Sequence, residues 1–219
     1  HSKRLAEELA YRIGVKSDGN PFFALEIVRG LREGRHIAQE PDGTWVSTRV
    51  IEDVEVPSSV LDLVNARVAE LSEADRDLLD AASCCGSAFD PALVAEVLDL
   101  PVLPALKRFG QIERRHRLIR ATGRRYSFDH HQIHEALHGS LFPQIAEHYH
   151  AAIGAALVSR AGAAEADPND LDGALCVDLA EHYLAGARGA EAWRYANAAL
   201  DHLERTYGIQ QAATLATRL

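Results

Sequence analysis

The chain has 219 residues, of which 47% are hydrophobic, and it carries a formal net charge of -9. That is enough apolar material for one large or two small cores, and the acidic balance excludes a surface coated throughout in positive charge for nucleic acid. Abundant Ala and Leu, few aromatics, and Gly and Pro present only as isolated punctuation predict a mainly α protein. Three cysteines, two of them adjacent at Cys84 and Cys85, offer neither a disulfide framework nor zinc-motif spacing, as expected of a reducing cytoplasm. No apolar run reaches the roughly 18–20 residues of a membrane span, and the N-terminus lacks a basic stretch followed by an apolar one. Neither export nor membrane insertion is expected.

Leu5, Leu9 and Ile13 recur at helical spacing from Lys3 to Val15, with a stop expected near Gly14. A second helix opens at Asn20-Pro21, a favoured cap followed by a favoured first helical residue, and runs through Leu25, Ile27 and Leu31 to Gly34. Pro41-Asp42-Gly43 predicts a turn between two short strands. Pro57-Ser58-Ser59 begins a helix with Val60, Leu61, Val64, Val68 and Leu71 along its apolar stripe. Ser72 and Asp75 form a near capping box for a helix over 73–82, and Asp90-Pro91 starts a short helix with Leu93, Val94 and Val97 inside.

After a helix from Pro101 to Arg115 the period changes. Leu118 to Thr122 and Arg125 to Phe128, separated by Gly123-Arg124, predict a hairpin. Three helices followed by a two-stranded wing is the layout of a winged-helix domain. Helices are expected over 132–142 and 143–160, then a polar linker over 163–170. Helices over 175–187, 190–207 and 209–219 follow, with small residues at Ala192, Ala198 and Ala199 suited to close tetratricopeptide-like packing. The expected architecture is a helical lid with a short hairpin over 1–55, a winged helix over 56–130, connecting helices over 131–162, and the start of tetratricopeptide-like helical hairpins over 171–219.

Four short motifs occur in order: Gly19-Asn20-Pro21-Phe22; Val56-Pro57-Ser58-Ser59-Val60; Ala81-Ala82 followed by Gly86 and Phe89; and Tyr126-Ser127-Phe128-Asp129-His130. In that order and spacing they resemble the STAND class of signalling P-loop ATPases, especially the large bacterial regulators with a C-terminal helical-repeat region, and the resemblance covers nearly all of the chain. It implies a lid and an arm that close over ATP or ADP. The sequence contains no Gly-x-x-x-x-Gly-Lys-Ser/Thr run, so the nucleotide would be held mainly by a P-loop domain upstream in the same parent chain. By matching position, Gly19, Asn20 and Pro21 would contribute to the nucleotide site, with Pro21 against the adenine and His130 as the winged-helix histidine that senses a diphosphate. Read locally, Gly19-Asn20-Pro21 is a helix start and His130 a histidine capping or packing a helix. The family's Arg-Glu-Ala run after this histidine is replaced here by His134-Glu135-Ala136. The resemblance further implies a protein or small-molecule inducer acting on the repeats, and an output in signal transduction or transcription regulation.

Histidines 130, 134 and 138 share one face of a helix, and such spacing can bind metal through neutral imidazole. No cysteine or carboxylate stands at zinc-motif spacing, so no metal site is expected, and His148, His150 and His182 read as half-buried polar residues. A basic segment opposes the chain's overall sign: Lys107, Arg108, Arg114, Arg115, Arg117, Arg120, Arg124 and Arg125, against only Glu113. On a winged helix these positions are where DNA would be met, with Gln111 the main neutral base-reading candidate. The same arginines could instead pair with the acidic lid or neighbouring helices, or sit solvated. There is no Gly-x-Ser-x-Gly elbow and no reactive cysteine with a defined partner, so the chain is not expected to be an enzyme by itself. Three readings remain: the lid and arm of a regulatory ATPase, a DNA-binding winged helix with a helical partner-binding tail, and a scaffold that has lost nucleotide coupling.

Overall fold

The computed structural model describes residues 9–11, 13–15, 17, 21–33, 36–47 and 60–219, and it is mainly α. The chain divides into two compact units, His1–Glu70 and Leu71–Leu219. Among the described residues no helix is long and apolar enough to cross a membrane.

In the first unit, residues 13–15 and 17 are helical, so the helix carries past Gly14. A single interior glycine costs a helix only about 1 kcal/mol, which burial of Ile13 and Ser17 offsets. Helix α1 (Pro21–Glu33) presents Phe23, Ile27 and Leu31 to a small core shared with Ile13 and with Ile37 of strand β1 (Ile37–Gln39). Strand β1 pairs antiparallel with β2 (Trp45–Ser47) across the expected turn, where Gly43 adopts a φ of +84°. Helix α2 (Val60–Ala69) buries Val64 and Val68. Leu71 lies beyond its end. The expected start at Pro57-Ser58-Ser59 and the Val56 motif fall outside the described residues, as do Gly19 and Asn20.

The second unit opens with α3 (Glu73–Cys84), whose N-cap Ser72 accepts a hydrogen bond from the Asp75 amide at 3.2 Å. Strand β3 (Ala88–Phe89) follows, then α4 (Pro91–Val97), capped by Asp90 accepting from the Ala92 amide, and α5 (Val102–His116). Arg117 ends α5 in the left-handed region and leads into β4 (Ile119–Thr122) and β5 (Arg125–Phe128). Gly123, with a φ of +65°, supplies the positive dihedral of their two-residue turn. The sheet has three antiparallel strands in the order β3-β5-β4, one more than the expected two-stranded wing. Two residues are too few to show a strand period, so β3 left no signal in the sequence.

Phe89 of β3, Phe109 of α5 and Phe128 of β5 form an aromatic core with Tyr126, at centroid separations of 5.3–6.1 Å. Beyond the hairpin lie α6 (His131–Gly139) and α7 (Pro143–Ala161). Helix α6 stops short of the expected Phe142 because Ser140 closes the last turn, its amide bonding the Ala136 and Leu137 carbonyls. Helices α8 (Gly173–Ala185), α9 (Gly189–Arg205) and α10 (Ile209–Arg218) complete the unit around Leu179, Tyr183, Tyr195, Leu203 and Leu215.

Helices α7 and α8 cross closely at two glycines. A Cβ at Gly154 would stand 2.9 Å from the Tyr183 ring, and one at Gly186 would stand 2.6 Å from the Ala151 nitrogen. The segment expected as a linker is tied down. It contains a 3-10 turn at Pro168–Asp170, and Arg194 of α9 donates to the Ala164 and Ala166 carbonyls at 2.7 and 2.9 Å. Arg160 of α7 bridges Asp90, the N-cap of α4, and Glu96 in its last turn, at 2.6 and 2.7 Å. The Arg160 pairs run across the boundary expected at 130, the contact of Gly154 with Tyr183 spans the one expected at 162, and Leu71–Leu219 is one compact unit.

Candidate functional site

The motif residues of the second unit converge in its sheet. Ala81 and Ala82 are buried where α3 packs, Gly86 takes a φ of +107° that no Cβ-bearing residue adopts cheaply, and Phe89 pairs in register with Tyr126. Two motifs some forty residues apart in sequence are therefore one packed element. Their chemistry is structural: small residues, a special dihedral and a shared aromatic core. This element delivers His130 to the start of α6.

His130 is the N-cap of α6, its Nδ1 accepting from the Gln132 amide at 3.3 Å. Burial, followed by the neighbouring His131, lowers its pKa. The expected His130-His134-His138 face does not form a common site. His130 lies outside the helix as its cap, and the His134 Nε2 meets the Ser83 carbonyl at 2.9 Å. Pro21 is exposed as the first residue of α1.

The basic residues separate into tied and solvated groups. Arg108 pairs with Asp75 at 2.9 Å, Arg125 donates to the Ala88 carbonyl at 2.8 Å, and Arg120 reaches the Ser127 hydroxyl at 3.4 Å. Glu113, the segment's acid, accepts from the Ala121 amide at 2.7 Å and so joins α5 to β4. Lys107, Arg114, Arg115, Arg117 and Arg124 are exposed, and among the described residues none of them makes an ion pair. Pairing with acidic neighbours thus accounts for Arg108 alone.

A second cluster was invisible in the sequence. Cys84 at the end of α3, His138 in the last turn of α6 and His150 within α7 offer ligand atoms that all lie within 4.8 Å of one another. The His150 Nδ1 stands 3.0 Å from the His182 Nδ1 of α8, one ring donating and the other accepting. Cys84 is buried, with 3% of its surface exposed, and burial with the nearby Asp80 pushes its thiol up to about 11. Burial brings His182 down to about 4. It does the same to His150, with His182, His138 and Arg218 adding to the effect. His150 and His182 are half-buried as expected, whereas His148 is exposed. Cysteine-to-histidine distances of this kind are set by tertiary packing, and no short spacing announces them.

No family model, curated protein or solved structure matches the chain.

Proposed function

We propose that the chain is the lid and arm of a STAND-type regulatory ATPase, followed by the first helices of a repeat region. It would couple the nucleotide state of a P-loop domain elsewhere in the parent protein to a partner-binding surface. The observation that carries this reading is the ordered motif set from Gly19 to His130. The helix-strand-helix-helix-hairpin order of α3 to β5, with its β3-β5-β4 sheet, supports the reading of this region as a winged-helix arm. Pro21, exposed at a helix start, is free to meet a nucleotide base, and Trp193, Tyr207 and Ile209 leave apolar surface on the repeat-like helices for a further repeat or a partner.

A switch of this kind works only if ATP and ADP favour different arrangements of the lid and arm. The chain by itself carries no catalytic group in this reading, and nucleotide chemistry belongs to the P-loop domain. Replacing Pro21 with Asp in the parent protein is expected to weaken both ADP and ATP several-fold. Replacing His130 with Gln is expected to weaken ADP selectively. Equilibrium binding of both nucleotides checks this, and unchanged ADP affinity in both variants would remove these residues from the site.

One observation favours a second reading, direct DNA binding by the arm: a set of solvated arginines on an acidic chain. In that case the protein is retained on immobilised duplex DNA at low salt, and reversing Arg114, Arg115 and Arg124 to Glu abolishes retention. Each lost phosphate contact also flattens the salt dependence by about one unit of log–log slope. No retention of the unmodified protein at low salt eliminates this reading.

A further inference from the structure

We propose that Cys84, His138 and His150 bind a zinc-class divalent cation, with His182 positioning the His150 ring. The donor set is one thiolate sulfur and two imidazole nitrogens, the borderline-soft combination that suits Zn²⁺ and disfavours Mg²⁺ or Ca²⁺. Tetrahedral Zn²⁺ with sulfur at about 2.3 Å and nitrogen at about 2.0–2.1 Å separates its ligand atoms by roughly 3.3–3.7 Å. The present arrangement, within 4.8 Å throughout, needs to contract by about one ångström.

His138 is the side chain able to supply that contraction, since it is exposed, while Cys84 is held in the core. Its exposure also opens the entry path. The hydrogen bond between His150 and His182 at 3.0 Å occupies the His150 Nδ1, so the Nε2 would be the ligand atom. A metal-binding histidine normally has such an outer partner, which fixes its ring and tautomer. Asp80, one turn before Cys84, adds negative charge near the thiolate while Arg76 holds it at 2.7 Å. Three protein ligands leave a fourth position for water or for a further ligand.

The three ligands come from α3, α6 and α7, which meet only through tertiary packing. A bound cation would therefore clamp the element that carries the sheet to the helices that follow it. This inference stands apart from the switch reading, because it needs no nucleotide and no upstream domain.

The purified chain, stripped with chelator and kept reduced, would be titrated with Co²⁺ and then with Zn²⁺ as competitor. The expected result is one equivalent of tetrahedral Co²⁺ with a thiolate-to-cobalt charge-transfer band, displaced by Zn²⁺, and a raised thermal midpoint. Cys84→Ser should lose the band, and Cys85→Ser should keep it. His138→Ala, which removes an exposed side chain and leaves the fold intact by circular dichroism, should weaken binding about 100-fold or more. His182→Ala should keep the band and weaken affinity by about 10- to 100-fold. Absence of a thiolate band in the unmodified protein, or unchanged affinity in the folded His138→Ala variant, overturns the proposal.

Discussion

Phe109→Ala is expected to destabilise the Leu71–Leu219 unit by about 3–5 kcal/mol, the range for truncating a fully buried phenylalanine. Phe109 has no exposed surface and lies 5.3 Å from the Phe89 ring and 5.6 Å from the Tyr126 ring, in tilted contacts. Those two rings belong to β3 and β5, so one side chain of α5 holds both strands of the sheet that leads to His130. Aromatic pairs of this geometry contribute about 0.5–1.5 kcal/mol beyond area burial. The surrounding rings are fixed by strand register and by one another, so the cavity has little room to collapse. Leu106, on the same helix but 37% exposed, provides the control. Its replacement by Ala should cost about 0.5 kcal/mol or less. Urea unfolding of both variants checks the pair, and a loss below about 1 kcal/mol for Phe109→Ala would mean the hairpin does not depend on this core.

The metal-free protein is expected to lose stability on acidification below pH 6.5 through two half-buried histidines. His150 and His182 are held near 4 in the folded chain, against an ordinary value of 6.5. The unfolded chain therefore binds more protons than the folded one as pH falls below 6.5. Their contribution is fully present above pH 6.5, declines below it, and is lost once pH has fallen through 4. Each group alone would account for about 3 kcal/mol, but solvent reaches both rings and the two interact, so the pair should contribute on the order of 3 kcal/mol in total. The groups facing His150 are Cys84, His182, His138 and Arg218, and the last three disfavour a positive charge on its ring. Unfolding midpoints measured from pH 7.5 to 4.5 should fall in the unmodified protein and fall less in His182→Gln. A flat profile through this window, or the same slope in both proteins, would contradict the assignment.

The helices were legible wherever a cap and an apolar period agreed. Ser72 and Asp90 cap where expected, Pro143 begins α7, and Gly123 turns the hairpin. Errors fell where tertiary contacts overrode a local signal. Gly14 reads as a stop because glycine weakens a helix, yet burial carries the helical state past it. Residues 163–170 read as a linker because they are polar, yet the Arg194 guanidinium gathers their carbonyls from a helix thirty residues on. The candidate site divides in the same way. The basic segment was visible as a run of like charges, and the structure separates its tied members from its solvated ones. The histidine period at 130, 134 and 138 was visible too, and the structure splits it: His130 caps the helix and His134 meets the Ser83 carbonyl, which leaves His138 to the cluster with Cys84 and His150. Cys84, His150 and His182 come together from three different helices, and nothing in the spacing of any one of them anticipates the others.

Whether this chain carries the lid and arm of a nucleotide switch is decided by expressing it together with the coding sequence upstream of His1 and assaying the purified protein for bound nucleotide. A strand-to-helix loop of the Gly-x-x-x-x-Gly-Lys-Ser/Thr type in that sequence and about one ADP or ATP per chain are expected. A protein with no such loop and no bound or bindable nucleotide would contradict the switch reading and move the solvated arginines of the arm to first place.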